Sequence, residues 1–269
     1  METRDLAADV SVVIPCWRCK DSIDRAVASV AAQTRRPREL LLVDDASGDG
    51  TLEHLRELAA RYAQGWIRVS ALERNRGPGA ARNAGWDAAA GAVVAFLDAD
   101  DAWLPEKLER QLEWMAAHPE AVLTGHPTVQ LPEGAVAPGI PSACSATRVT
   151  LAQMLRSNRF PTRSVMLRRD VPQRFGDRSV SEDYLLWLEL VASGAACYRL
   201  DAVMAVSFRP DFDPGGWSGH LWRHERSELR ALSTLRSRQG LSTLAWAAAS
   251  VWSFLKFLRR ALIVGLLRR

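Results

Sequence analysis

Two patterns of hydrophobic and polar positions alternate along residues 1–120. Short, mostly apolar runs such as VSVVIP and ELLLVDD indicate buried strands, and apolar residues spaced three or four apart indicate helices between them. The predicted strands cover residues 10–15, 39–45, 67–72 and 92–98. The predicted helices cover residues 21–34, 50–63, 77–90 and 104–118, with Asp21 able to cap the first and Pro105 at the start of the last. This alternation predicts an α/β fold with a mostly parallel sheet flanked by helices.

The second half of the chain has a weaker pattern. Residues 125–147 are rich in Pro, Gly, Ala and Ser and are predicted to form a long loop. Strands are predicted at 163–170 and 202–208, a helix at 181–194 capped by Ser181, and two long helices near 217–238 and 242–266. The pattern divides the chain into a body of residues 1–215, with halves 1–120 and 121–215, and a C-terminal helical extension of residues 216–269.

Charge separates the body from the extension. The chain has 269 residues and a net charge of +4, which is too small to indicate a nucleic-acid partner. From Trp217 onward there are ten Lys or Arg and two Glu, so the extension carries +8 and the remainder −4. This cationic segment favours an anionic surface as partner. The N-terminal residues METRDLAADV lack the apolar core of a signal peptide, so we expect a cytoplasmic protein with reduced cysteines.

Three aspartates follow the strand VVAFL directly: Asp98, Asp100 and Asp101. Carboxylates this close repel one another unless a cation neutralises them. Two of them on a turn past a strand can hold a hard divalent ion and leave positions for phosphate oxygens, so Mg²⁺ or Mn²⁺ with a diphosphate is the expected ligand. The alternative is an acidic turn that caps the Pro105 helix.

Other candidate residues also lie beside predicted strand or helix ends, where ligands bind in parallel sheets. Asp44 and Asp45 in VDDASGDGT could accept hydrogen bonds from a nucleobase or ribose, or could form an Asx-turn. An EF-hand is rejected, because Arg56 stands where the bidentate Glu is required. The Gly-rich NRGPGAARNAG opens a helix, and its Arg82 suits an anion.

The segment SEDYLLWL places two acids in the first turn of a predicted helix, Glu182 and Asp183. A carboxylate there could act as general base toward a sugar hydroxyl. The alternative is that both charges only complement the helix dipole.

Four segments occur in an order and spacing that resemble the family 2 glycosyltransferases, which have the GT-A fold: VSVVIPCW, VDDASGDGT, NRGPGAARNAGWDAAAGAVVAFLDADD and SEDYLLWL. The resemblance covers residues 9–210 and implies a nucleotide-sugar donor. By its motifs it implies that Asp98 and Asp100 form a DxD motif, with Asp101 also at the metal, and that Asp183 is the base beside Glu182. It implies donor-binding roles for Pro15, Asp44, Asp45, Arg82 and Asp98.

The sequence also departs from that family. Cys16, Trp17 and Arg18 follow Pro15 where the family often has Tyr-Asn. The Gln-x-x-Arg-Trp pattern of processive members is absent from the sequence, so transfer of one sugar is expected rather than polymerisation. The resemblance implies that this transfer is a single displacement with inversion. The cysteines of CWRC could form a redox pair, but nothing else in the sequence accompanies them, and a structural role beside a strand end is expected.

The last predicted helix, within residues 241–267, carries Lys256, Arg259 and Arg260 near its middle, which argues against a transmembrane span. We expect a helix in the membrane interface with these charges toward lipid phosphates, which would suit a lipid-linked or envelope-polysaccharide acceptor on the cytoplasmic face. The alternative is a helix packed on the protein or on a dimer partner.

Three other functions compete with a transferase. A haloacid-dehalogenase-type phosphohydrolase needs Thr or Val where Ala102 stands, and a sugar-nucleotide pyrophosphorylase would need a Gly-rich Arg-Lys signature after the first strand. A catalytically inactive membrane-associated protein of the same fold does not explain the presence of Asp98, Asp100 and Asp183 together.

Overall fold

The apolar runs of the sequence form the central strands of one mixed sheet in a computed structural model, which describes residues 9–132, 134–136, 138–141, 144–177, 180–208 and 221–267. The strands in these residues are β1 (Val10–Cys16), β2 (Glu39–Asp44), β3 (Ile67–Ala71), β4 (Val93–Phe96), β5 (Asp101–Trp103), β6 (Ala121–Gly125), β7 (Thr128–Gln130), β8 (Ala146–Arg148), β9 (Met166–Arg168), β10 (Ala196–Leu200) and β11 (Ala205–Ser207). The helices are α1 (Lys20–Ala31), α2 (Thr51–Ala60), α3 (Pro78–Ala88), α4 (Lys107–Ala117), α5 (Leu151–Arg156), α6 (Glu182–Ala192), α7 (Leu221–Gln239) and α8 (Thr243–Leu267).

The large sheet has the strand order β3-β2-β1-β4-β9-β6-β10-β8. Strands β3, β2, β1 and β4 are parallel, as is the β6–β10 pair. Strand β9 runs antiparallel between β4 and β6, and β8 is antiparallel to β10. The predicted α/β fold with a mostly parallel sheet is therefore confirmed.

Helices cover both faces of this sheet. Along β1, Val12 and Ile14 point to one hydrophobic cluster and Val13 points to the other, because side chains alternate along a strand. The first cluster includes residues of α1, α2 and α4, and the second includes residues of α3, α5 and α6. Burial on both faces explains why these strands are apolar throughout.

Several predicted boundaries are wrong in detail. Residues 125–147 were expected to form a loop, but the described part contains the short strands β7 and β8, which pair with β11 and β10. The strand predicted at 163–170 is shortened to β9 by a 3₁₀ turn at Thr162–Ser164. Strands of three residues are too short to show a period in the sequence, and they form here because distant strands supply their hydrogen-bond partners.

The predicted helix caps also differ. Helix α1 begins at Lys20 with Cys19 as its N-cap, so Asp21 lies in the first turn and does not cap. Ser181 is at the N-cap of α6, but its hydroxyl hydrogen-bonds to the Ser227 hydroxyl at 2.8 Å and makes no cap bond. Helix α4 begins two residues after Pro105.

The C-terminal helices pack on the body of the protein. Ala231 and Leu232 of α7 and Ala249 of α8 belong to the same hydrophobic cluster as α6. The boundary predicted between residues 215 and 216 lies outside the described residues. Within the described part of the chain, no helix is both long enough and apolar enough to cross a membrane.

Charges between α7 and α8 reverse the expected orientation of the last helix. Glu228 lies 3.3 Å from Lys256 Nζ and 3.2 Å from Arg260 Nη2, and the fully buried Glu225 lies 3.2 Å from the same Arg260 nitrogen. Lys256 and Arg260 therefore face α7 and not lipid phosphates; of the three expected cations only Arg259 is exposed. Buried carboxylates require cationic partners, and α8 supplies them to the two glutamates of α7. The exposed side of α8 carries Val251, Trp252, Phe254, Leu255, Leu258 and Leu262.

Candidate active site

The candidate residues converge because parallel strands place their carboxyl ends at one edge of the sheet. Cys16 at the end of β1 pairs in register with Asp44 at the end of β2. On the other side of β1, the Leu97 amide just past β4 donates to the Val13 carbonyl at 3.2 Å. Asp44 and the residues after Leu97 therefore flank the end of β1, as the sequence predicted.

Asp44 and Asp45 are both buried and both organise loops. The Asp44 carboxylate accepts hydrogen bonds from the Ser47 hydroxyl at 2.5 Å and the Ser47 amide at 3.2 Å. These bonds form the Asx-turn that the sequence suggested as an alternative to ligand binding. Asp45 accepts from the amides of Arg76 and Gly77, each at 2.7 Å, and so ties the end of β2 to the start of α3. The φ of +94° at Gly77 suits glycine and allows this approach.

The side chain of Arg82 joins two of the acidic motifs. Its Nη2 lies 2.5 Å from Asp98 Oδ1, and its Nη1 lies 3.6 Å from Glu182 Oε1. Burial lowers the pKa of Arg82, but the charges of Asp98 and Glu182 outweigh this and raise it. Burial likewise raises the pKa of Asp98, and the positive charge of Arg82 more than reverses that effect. Arg82 was expected to face phosphate or base, whereas here it bridges carboxylates.

Helices α3 and α6 approach each other closely around this bridge. A Cβ atom at Gly79 would lie 2.8 Å from the Gly176 carbonyl oxygen and 2.9 Å from Glu182 Cγ. The absence of a side chain at Gly79 therefore allows α3 to pack closely against the start of α6. Glycine here lets Arg82, three residues further along α3, reach across to the first turn of α6.

Asp101 lies within hydrogen-bonding reach of Asp98 and also pairs with an arginine. It begins β5, and its Oδ2 lies 2.9 Å from Arg163 Nε. Burial and the charges of Asp98 and Asp100 raise the pKa of Asp101 to about 8, against the lowering effect of Arg163. Asp100 is half-buried, and its carbonyl accepts from Arg25 Nη2 at 3.0 Å.

The predicted set of three metal-binding aspartates is therefore not assembled as one cage. Among the described residues, no group of three His, Cys, Asp or Glu side chains is placed to hold a metal ion. Mg²⁺ is usually held by one or two carboxylates together with substrate phosphates, so Asp98 and Asp100 fit a metal that a diphosphate completes. Asp101 is instead paired with Arg163.

The two acids of SEDYLLWL lie in the first turn of α6, as predicted. Asp183 Oδ2 accepts hydrogen bonds from the Thr162 hydroxyl at 3.2 Å and Asn158 Nδ2 at 3.4 Å, so two neutral donors orient this carboxylate. Burial and the charge of Asp183 raise the pKa of Glu182 to about 7, although Arg82 opposes the shift. Asp183 is thus oriented by neutral hydrogen-bond donors, while its neighbour Glu182 pairs with Arg82.

Sequence analysis did not select four residues that the structure brings to this edge: Trp17, Asn158, Thr162 and Arg163. The Trp17 side chain is 52% exposed just past β1, and the Arg18 guanidinium stacks 4.9 Å from its ring. The Arg18 amide donates to the Ser47 hydroxyl at 3.0 Å, which joins the β1 and β2 loops. Of these four, Trp17 could have been selected from the sequence, because it follows Pro15 within the motif VSVVIPCW. The other three lie in segments that contain no recognisable motif.

The cysteines of CWRC have a structural setting. Cys16 and Cys19 are buried, free thiols that belong to the cluster beneath α1. Burial and the neighbouring Cys19 raise the pKa of Cys16, which disfavours the reactive thiolate.

The arrangement combines an oriented carboxylate, a buried arginine, acidic groups suited to a divalent ion and an exposed aromatic ring. These are the parts needed to hold a phosphorylated donor and to remove a proton from an attacking hydroxyl.

Comparison with known proteins agrees with this chemistry. The family model "Glycosyl transferase family 2" matches residues 11–169, which is more than half of the chain. A putative teichuronic acid biosynthesis glycosyltransferase, TuaG of Bacillus subtilis, is 31% identical over 199 residues, 73% of this chain and 77% of that protein. WfaP of Escherichia coli is 28% identical over 69% of this chain and 71% of its own length; it is a UDP-Glc:α-D-GlcNAc-diphosphoundecaprenol β-1,3-glucosyltransferase.

Solved structures show the same fold. Residues 1–349 of S. aureus TarS in complex with UDP-GlcNAc superpose with a TM-score of 0.69 at 21% identity, covering 94% of this chain and 72% of that one. The mannosyltransferase PcManGT of Pyrobaculum calidifontis, in complex with GDP-Man and Mn²⁺, gives 0.66 at 18% identity over 95% of this chain and 75% of that one. The family match, the relative at 31% identity and this GT-A type fold establish that the chain is a glycosyltransferase and belongs to family 2.

Proposed function

We propose that this glycosyltransferase moves a single sugar, with inversion and with Mn²⁺ or Mg²⁺, from a nucleoside-diphosphate sugar to an acceptor hydroxyl. The acceptor is a carbohydrate or lipid-linked saccharide in the synthesis of a cell-envelope polysaccharide or glycolipid. The observation that carries the proposal is the oriented Asp183 carboxylate, which lies next to the arginine bridge between Glu182 and Asp98. The relatives TuaG and WfaP, by their descriptions, support the envelope setting.

The donor's nucleoside is assigned to the loops after β1 and β2. Trp17 offers an exposed aromatic face for stacking against a base. Pro15 lies near the end of β1 and the buried pair Asp44 and Asp45 at the end of β2, and the loops that follow are joined through Ser47.

The donor's diphosphate is assigned to the DxD segment. Asp98 and Asp100 would hold the divalent ion, which when bound supplies positive charge that stabilises the departing diphosphate. Arg82 keeps Asp98 ionised and oriented by its ion pair. PcManGT, solved with GDP-Man and Mn²⁺, supports the choice of ion.

Asp183 performs the proton transfer in this proposal. As the acceptor oxygen forms its bond to the anomeric carbon, the bond from that carbon to the diphosphate oxygen breaks and the nucleoside diphosphate leaves. The hydroxyl proton passes to the Asp183 carboxylate, which Thr162 and Asn158 hold in place. One displacement at the anomeric carbon inverts its configuration.

Nucleotide binding tests the donor site. Calorimetry with UDP, GDP and dTDP, each with and without Mn²⁺, is expected to show metal-dependent binding of one nucleotide. Asp100→Ala should weaken that binding at least tenfold, because it removes a carboxylate from the metal. The matched control Asp87→Ala changes an exposed aspartate of α3 that pairs with Arg174. This variant should bind the nucleotide like wild type. Failure of folded wild-type protein to bind any of the three would refute the proposed donor site.

Peripheral attachment to the cytoplasmic face of a membrane is also proposed, through the exposed apolar side of α8. Leu255 and Leu258 are half-exposed there beside the exposed Arg259, a combination that suits the interface of an anionic bilayer. Wild type should float with vesicles of phosphatidylglycerol and phosphatidylcholine, and the double variant Leu255→Ser, Leu258→Ser should lose most of that binding. The exposed control Ala116→Ser on α4 should not. Equal, weak flotation of all three proteins would contradict membrane attachment.

A further inference from the structure

Helix α8 is joined to the segment that orients the proposed base. Trp252 Nε1 donates a hydrogen bond of 3.0 Å to the carbonyl of Arg156, the last residue of α5. The last carbonyls of a helix have no partner within the helix, so this bond ties the end of α5 to α8. Asn158 follows two residues later, and its Nδ2 donates to Asp183 Oδ2 at 3.4 Å. Only two residues of backbone therefore separate the Trp252 contact from a hydrogen-bond donor of the base.

The Asn158 side chain follows the backbone on which it lies. While its Nδ2 donates to Asp183, its Oδ1 accepts a hydrogen bond from the Phe160 amide at 3.0 Å. Both polar atoms of the side chain are thus engaged, and the amide cannot turn without breaking one of these bonds. A shift at the end of α5 would consequently move the donor to Asp183.

Helix α7 supports the base from the other side. Ser227 Oγ lies 2.8 Å from Ser181 Oγ, and the Ser181 amide donates to the Ser227 carbonyl at 3.4 Å. Ser181 is the N-cap of α6, two residues before Asp183. Burial lowers the pKa of His224 on α7, and the negative charges of Glu228 and Asp183 oppose this shift. Helix α7 therefore lies within electrostatic range of the base and contacts the start of its helix.

Helix α8 in turn holds α7 in place. Arg260 Nη2 lies 3.2 Å from a carboxylate oxygen of Glu225 and 3.2 Å from one of Glu228. Lys256 Nζ lies 3.3 Å from Glu228. If α8 left α7, two buried carboxylates would lose their counter-charges, which is strongly unfavourable. The docked position of α8, packed on α7 with these ion pairs formed, thus keeps both supports of the base in place.

A bilayer would favour this docked position. In it Leu255 and Leu258 are half-exposed on the side of α8 that faces away from α7, while Lys256 and Arg260 are paired with α7. The apolar side can enter a membrane interface without breaking an ion pair. Because a bilayer binds the docked state without that cost, attachment shifts the population of α8 toward docking.

We propose that α8 couples attachment to a bilayer to the orientation of Asp183, with Trp252 as the positioning residue. The inference rests on the proposed function, which takes Asp183 as the base and the exposed side of α8 as the membrane contact. The family model ends at residue 169, so the helices that supply this coupling lie beyond the matched residues. The enzyme is accordingly more active on a bilayer than in solution.

Hydrogen–deuterium exchange on the full chain tests the coupling. The Ser157 and Phe160 amides are hydrogen-bonded, so exchange in residues 157–163 reports opening of the segment that carries Asn158. Trp252→Phe keeps an aromatic ring but removes the indole N–H. It should speed exchange in this segment about threefold to tenfold, the range expected for loss of one hydrogen bond. Vesicles of phosphatidylglycerol and phosphatidylcholine should slow exchange there by a similar factor in wild type, and not in Trp252→Phe.

Trp246→Phe is the matched control. It removes the same N–H group from α8, where its partner is Ser233 Oγ of α7 at 3.4 Å and not α5. Exchange in residues 157–163 should equal that of wild type, and vesicles should slow it equally. Both variants should float with vesicles as wild type does, because each keeps the leucines on the exposed side of α8.

Turnover separates positioning from a purely structural role. Water can replace the acceptor hydroxyl at Asp183, so release of nucleoside diphosphate is followed with UDP-glucose, UDP-N-acetylglucosamine and GDP-mannose. For the donor that wild type turns over, vesicles should raise kcat about threefold to tenfold and change KM less than twofold. In Trp252→Phe, kcat should be lower and should not respond to vesicles, whereas Trp246→Phe should behave like wild type.

Two results would overturn the inference. One is equal exchange in residues 157–163 of Trp252→Phe and Trp246→Phe. The other is faster exchange there when vesicles bind wild type, which would mean that α8 leaves α7 and turns its cations toward lipid. If wild type floats and binds its nucleotide in these cases, the proposed function stands. Failure of wild type to float would instead refute membrane attachment itself, and the coupling with it.

Discussion

Replacing Asp183 by asparagine is expected to lower kcat by about 10²–10⁴-fold, the usual contribution of a general base. Asparagine keeps an oxygen that can accept from Thr162 and Asn158, so the orientation of α6 should be preserved. Steady-state kinetics with the donor and acceptor, combined with calorimetry of the nucleotide, would separate catalysis from binding. Affinity for the nucleotide and its metal dependence should change less than twofold.

Two comparisons make the Asp183 result specific. Asp87→Asn removes the charge of an exposed aspartate on α3 and should leave kcat unchanged. Thr162→Val removes one donor to Asp183 and should lower kcat by an intermediate amount, because the carboxylate keeps its charge and loses part of its orientation. A kcat for Asp183→Asn within threefold of wild type would exclude this residue as the base.

Replacing Arg82 by methionine is expected to lower the free energy of unfolding by about 3–5 kcal/mol, the cost of leaving a buried charge without its partner. The change leaves Asp98 and Glu182, both largely buried, without the cation between them. Urea denaturation of the full chain measures the loss. Arg61→Met removes an exposed arginine paired with Asp24 and should cost at most about 1 kcal/mol.

The pH dependence of the free energy of unfolding tests whether Glu182 contributes to the stability lost in Arg82→Met. The pKa of Glu182 is raised to about 7 by burial and by Asp183, above its ordinary value of about 4.3 in an unfolded chain. The folded state therefore binds this proton more tightly, and its stability falls as pH rises through that interval. Without the positive charge of Arg82 the pKa rises further, so Arg82→Met should destabilise more at pH 8 than at pH 5.

A double variant provides the matching control for this effect. Adding Glu182→Gln to Arg82→Met should recover part of the lost stability at pH 8 and little at pH 5, since the glutamine cannot ionise. Equal losses at both pH values, with no recovery from Glu182→Gln, would mean that Glu182 does not contribute to the cost of losing Arg82.

The sequence by itself determined the parallel core of the sheet and the segments that form the candidate site. Strands β1, β2 and β4 are recognisable because burial on both faces makes them apolar throughout. The acids that follow β2 and β4 must then lie at one edge, since parallel strands carry their carboxyl ends together. Asp44, Asp98 and Asp100 were selected as candidates in this way, and Asp183 by its place in the first turn of a predicted helix and by the family resemblance.

Only the tertiary structure decided the partners of those residues. Arg82 bridges Asp98 and Glu182, the latter 100 residues after Arg82 along the chain. Arg163 pairs with Asp101 across 62 residues. Neither contact has a local signature, because ion pairs form between surfaces that the fold brings together.

The direction of α8 was decided in the same way. On the helix alone, its cations form a polar stripe that favours exposure to water or lipid phosphates. In the folded chain, Glu225 and Glu228 of α7 bind Lys256 and Arg260, and the leucines of the opposite side become exposed. The sequence of α8 shows which residues share a face of the helix. The charges of α7, against which it packs, determine which of these faces is buried.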